Sequence, residues 1–67
     1  MDKVTIGKVI KDRRDLLEVN QQTVADLSEV GLNTLLAIER GYGNPRIDTL
    51  LKILNTLGLE MTINPKK

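Results

Sequence analysis

The chain predicts an all-α fold of four or five short helices followed by one C-terminal β-strand, and three patterns carry that prediction. From Asn20 to Gly41 the sequence NQQTVADLSEVGLNTLLAIERG reads as two short helices joined by a sharp corner. On either side, Thr5 to Glu18 and Asp48 to Gly58 repeat apolar residues at helical spacing. From Leu59 to Asn64 the period changes to strict alternation, the pattern of a half-buried strand.

Helix one is expected from Thr5 to Glu18, with Ile6, Ile10 and Leu17 on its inner face and Val9 at the flank. Arg14 falls in the same stripe, where an unpaired guanidinium is expensive, so it needs a partner; the competing reading is that it snorkels to solvent along its aliphatic stem. Leu17-Glu18-Val19 is a connector short enough to force contact with the next helix.

Asn20 is the N-cap of helix two, Gln21 to Leu27, because its side-chain oxygen can accept backbone N–H groups left free at a helix start. Val24 and Ala25 share one side of it, and Val30, Leu35 and Ile38 continue an apolar set, so the two helices pack together. Ser28-Glu29-Val30-Gly31 makes the corner, with Gly31 as N-cap of helix three, Leu32 to Arg40. Gly41 closes that helix as the residue past its end, and Gly43-Asn44-Pro45 forbids continuation. Tyr42 is the one aromatic residue of the chain, which argues against stacking on single-stranded bases. It reads as a loop anchor in preference to a phosphate contact.

Helix four starts at the N-cap Asp48 and ends at Gly58, with Leu50, Ile53, Leu54 and Leu57 on its core face. Leu51 lies off that stripe and, with Leu27, is a candidate second surface. The strand Leu59–Asn64 has no mate within a helical chain, so a second copy is the simplest partner. Pairing about a two-fold axis places Leu59, Met61 and Ile63 over the ends of the two helices four, joined by Leu51, with Glu60 and Thr62 facing water. The chain thus divides into a helical domain, residues 1–58, and a dimerisation strand and tail, residues 59–67.

With 67 residues this is one small domain of marginal stability, for which oligomerisation is the expected supplement. The chain has no cysteine and no histidine, which excludes disulfides, standard zinc fingers and histidine acid/base chemistry. No metal site, cofactor site or catalytic constellation is visible, so an enzyme is the weakest class. The start carries no apolar signal core and no run of about 18 apolar residues exists to span a bilayer, which makes a cytoplasmic protein the expectation. The net charge of +1 is small for a nucleic-acid binder. Its basic residues are unevenly placed, with Lys3, Lys8, Lys11, Arg13 and Arg14 near helix one and Arg40 and Arg46 around the loop after helix three.

Gln21, Ala25, Val30, Gly31, Leu35 and Ile38-Glu39-Arg40-Gly41 together resemble the Cro/C1-type (XRE) helix-turn-helix family. Ile6-Gly7, Ile10 and Arg14 match its helix one, and Pro45 with Asp48 to Leu54 its helix four. The resemblance implies a lambda-repressor-like fold and an ion pair between Arg14 and Glu39. It departs at the corner, where the usual glycine is Glu29. The tail Leu59 to Ile63 is similar to the narrower HipB-like group of antitoxin repressors that partner HipA-type kinases.

What the resemblance implies is a sequence-specific repressor of transcription that binds a palindromic operator in double-stranded DNA as a homodimer. Helix three would lie in the major groove, with Leu32, Asn33 and Ala37 at base edges and Thr34 nearby. Asn20, Gln21, Arg40, Asn44 and Arg46 would hold phosphates. The narrower similarity implies an autorepressor and antitoxin of a toxin–antitoxin pair with a HipA-type kinase; a free-standing XRE-family repressor is the alternative. An interaction module with secondary DNA binding is the other class, suggested by Leu32 and Leu36 on an exposed front of helix three.

Overall fold

Asp2 opens the fold: its extended backbone and its carboxylate, which accepts the Thr5 N–H at 2.8 Å, start α1 at Lys3–Leu16. The computed structural model describes residues 2–66 and contains, among them, four helices and no strand. After α1 come α2 (Gln21–Ser28), α3 (Leu32–Glu39) and α4 (Ile47–Thr56). None is long and apolar enough to cross a membrane.

Helix α1 crosses α3, while α2 packs on both α3 and α4. Ile10, Val24, Ala25, Leu35, Ile38, Leu50, Ile53, Leu54 and Leu57 form one buried cluster where the four helices meet. Gly7 is what lets α1 approach α3. A Cβ built there would collide with the Ile38 carbonyl oxygen and lie 2.9 Å from that of Glu39, so no larger residue fits this crossing. At the other side of the core, the buried Ser28 hydroxyl bonds Thr56 at 3.0 Å and ties the end of α2 to the end of α4.

Several sequence expectations need correcting. Helix one begins at Lys3 and stops at Leu16, since Glu18 takes a left-handed φ of 57°. Its buried face is Gly7, Ile10 and Arg14, with Ile6 half-buried. Leu17 is the C-cap and remains 43% exposed instead of joining the inner face, whereas Val9 lies at the flank as expected. Helix two runs one residue further, through Ser28, and α3 stops at Glu39 with Arg40 as its C-cap. The N-cap of α4 is Arg46; Asp48 stands in the first turn, its carboxylate accepting the Thr49 N–H at 3.1 Å.

The segment from Leu59 to Asn64 is not a strand in this single chain, because a strand exists only through hydrogen bonds to a mate. Leu59 N–H instead closes back on the Leu54 carbonyl at 2.8 Å. Leu59 and Met61 pack against the core, whereas Ile63 is 85% exposed.

Candidate nucleic-acid interface

The corner between α2 and α3 is a three-residue turn. Glu29 is left-handed at φ 59° and ψ 39°, and its N–H satisfies the Asp26 carbonyl; Val30 N–H then reaches the Ala25 carbonyl at 3.0 Å. Val30 packs against the core below, and Gly31 starts α3 in an extended conformation without a side-chain cap. Asn20 caps α2, its side-chain oxygen accepting the Thr23 N–H at 2.8 Å.

The front of α3 is polar where it is most open. Asn33 and Thr34 are exposed, and Ala37 is half-buried. Leu32 and Leu36 are also half-buried, and Leu32 packs against the core, so the apolar front expected at these two leucines is only partly open. A groove of about 330 Å³ runs between Asn33, Thr34 and Ala37 on one side and the loop from Tyr42 to Pro45 on the other.

That loop follows from its residues. Gly41 adopts φ 82°, which ends α3, and a Cβ there would lie 2.9 Å from the Val4 Cα, so the loop starts pressed against α1. Tyr42 N–H returns to the Ala37 carbonyl at 3.1 Å. Tyr42 is exposed, lining the groove instead of being buried beneath the loop. The Arg40 guanidinium reaches the Tyr42 hydroxyl at 3.5 Å, the outer limit of a hydrogen bond. Asn44 accepts a bond from the Lys3 ammonium at 2.7 Å, which brings a basic residue of α1 to the rim. The sequence places Lys3 among the basic residues near helix one but does not predict it at this rim; the capping carboxylate of Asp2, which starts α1 at Lys3, is the signal that bears on it. Arg46 is exposed, with Asp48 3.4 Å from it in a solvent-screened pair.

Behind this surface lies a buried polar network. Arg14 and Glu39, on α1 and α3, form a two-bond fork: Nε donates to Oε2 at 2.7 Å and Nη2 to Oε1 at 3.0 Å. Hydrogen bonding to Glu39 raises the Arg14 pKa further above its already high value, so the guanidinium stays charged although only 9% of the residue is exposed. Arg14 also donates to the Val19 carbonyl at 3.0 Å. Gln21, whose amide donates to Glu39 at 3.0 Å, belongs to this network as well as to the surface. Among the described residues no buried side-chain nitrogen or oxygen lacks a partner.

The arrangement therefore brings Asn33, Thr34, Ala37 and Asn44 around one groove, with Asn20 and Gln21 at the start of α2 and Arg40 beside Tyr42. Leu51, Leu59, Met61 and Ile63 lie on α4 and the tail and line no part of this groove.

Comparison with known proteins fits this geometry. A family model described as helix-turn-helix matches residues 10–64. The chain is similar to an uncharacterized HTH-type transcriptional regulator of Haemophilus influenzae, 35% identical over 63 residues that make up 94% of this chain and 64% of the relative. It is also similar to the HTH-type transcriptional regulator ImmR of Bacillus subtilis, 36% identical over 52 residues, 78% of this chain and 41% of that protein. The chain thus spans only part of the length of both relatives.

Proposed function

This chain belongs to the XRE-type helix-turn-helix family, and we propose that it is a transcriptional regulator that binds a palindromic site in double-stranded DNA as a two-fold homodimer. The observation that carries this is the open front of α3, where exposed Asn33 and Thr34 share a groove with Ala37 and the polar loop at Asn44. A short helix with free amide and hydroxyl groups near its N-terminus suits the major groove, whose base edges present donors and acceptors. Asn33 is the principal reader, since its amide can pair with the N6 and N7 atoms of adenine; Ala37 and the open part of Leu32 offer contact to thymine methyls. DNA shape supplies the remaining discrimination. Asn20, Gln21, Arg40, Asn44 and Arg46 hold the phosphates on either side. Both relatives are named as regulators, which supports the reading by similarity.

The dimer is made by residues 59–64, each copy supplying the strand mate that the other lacks. As a finer reading, the protein is a cytoplasmic, non-enzymatic autorepressor and antitoxin whose partner is a HipA-type kinase; the support for this is the sequence of its tail. Purification from the native host with a kinase attached is the expected outcome, and a protein that always emerges without one is a free-standing repressor.

Mobility shifts with fragments of its own genome test the DNA reading. Asn33→Ala is expected to cost about 1 to 3 kcal/mol at one base pair of each half-site and relax preference there. Arg46→Ala weakens all sequences alike. Retention of no fragment, or an Asn33→Ala protein with unchanged affinity and preference, contradicts the placement of α3.

A further inference from the structure

Glu39 does more than neutralise Arg14. Its side chain is 3% exposed, and its Oε1 accepts from two donors, Arg14 Nη2 and Gln21 Nε2, both at 3.0 Å. A carboxylate presents only acceptors here, so the Gln21 carboxamide must turn its NH2 group inward. One of the two N–H groups is thereby used, while among the described residues the second and the carbonyl oxygen take no part in the network. Gln21 is the first residue of α2 and half-buried. The bond from Arg14 to the Val19 carbonyl holds the backbone immediately before it. One buried cluster therefore fixes the end of α3, the entry to α2, and the orientation of a surface amide.

We propose that Glu39 is a positioning residue for DNA binding, which orients the Gln21 carboxamide so that its second N–H is presented to a phosphate oxygen. The inference rests on the DNA-binding reading above. Its physical content is preorganisation: a glutamine already held in one rotamer does not lose that freedom on binding. Backbone contact carries no sequence information, so the effect is equal on all duplexes.

A thermodynamic cycle tests it, read by anisotropy on two labelled duplexes, one enriched by the protein from a random-sequence pool and one of unrelated sequence. Gln21→Ala is expected to weaken both by about three- to tenfold, the range of freezing one flexible side chain. The paired change Arg14→Met with Glu39→Met removes both charges and strands neither; it should weaken binding by a similar factor. Adding Gln21→Ala to that pair should cost nothing more. Additive losses show that Glu39 does not act through Gln21 and overturn the inference while leaving DNA binding intact. If the unaltered protein binds neither duplex, the DNA reading fails and the inference with it. A readout free of folding effects is the side-chain NH2 of Gln21 in the NMR spectrum of the unaltered protein. One proton should be shifted downfield by the carboxylate and the other should move on adding duplex; two averaged, unmoved resonances overturn the proposal.

Discussion

At the scale of single residues, the costliest group in the core is the Arg14 guanidinium, and Glu39 is what makes its burial tolerable. The two-bond fork and the Val19 carbonyl satisfy it, but desolvating both charges offsets much of that gain. Removing one partner leaves the other stranded. Arg14→Met or Glu39→Met alone should therefore lose about 3 to 5 kcal/mol, whereas the paired change should lose clearly less than their sum. Urea unfolding of the four proteins measures this, and purely additive losses count against the coupling. Arg14 was legible in the sequence as a charge in an apolar stripe, and resemblance supplied Glu39. Gln21 as a third member was not, because nothing in local spacing says which way a half-buried helix-start amide turns.

At the scale of elements, caps and breakers decide what can be read. Asn20 and Gly41 announce the start of α2 and the end of α3, and both ends are close to where the sequence puts them. The start of α4 differs from the Asp48 cap that the sequence predicts, since its N-cap, Arg46, has no side-chain oxygen to offer. Asp48 carries an N-cap side chain but serves in the first turn, where its negative charge complements the helix dipole. Periodicity places Leu17 on the inner face of helix one, but it cannot show that α1 stops at Leu16, which leaves Leu17 as the C-cap and 43% exposed, while Val9 stays on the flank where the sequence puts it. The corner between α2 and α3 invites a test. Glu29 holds a left-handed conformation that costs a residue with a Cβ about 1 to 2 kcal/mol, which glycine avoids at the expense of a more flexible unfolded chain. Glu29→Gly should accordingly raise stability by about 1 kcal/mol, seen as a higher melting temperature with the same helical spectrum. A lower melting temperature means that the glutamate contributes something its backbone angle does not reveal.

At the scale of the whole molecule, the tail is the unfinished part. Its alternation is plain in the sequence, but a strand's mate is not a property of one chain, and in this chain Leu59 and Met61 settle against their own core. Among the described residues no backbone–backbone hydrogen bond ties residues 60–64, while Ile63 stays open. Ile63→Lys alters nothing that the helices use, so it should preserve helix content yet weaken self-association at least about tenfold, or about 1.4 kcal/mol. Sedimentation across a concentration series measures it. An undiminished dimer places the interface elsewhere, for which exposed Leu27 and Leu51 are the next residues to alter.

The most direct measurement is selection of duplexes from a random-sequence pool by the unaltered protein, followed by sequencing of the retained DNA. A two-fold dimer carrying α3 into successive major grooves should enrich an inverted repeat with half-site centres about one helical turn, roughly 34 Å, apart, and a base preference in each half that Asn33→Ala abolishes. A pool that stays random, or an enriched motif indifferent to Asn33→Ala, contradicts the account.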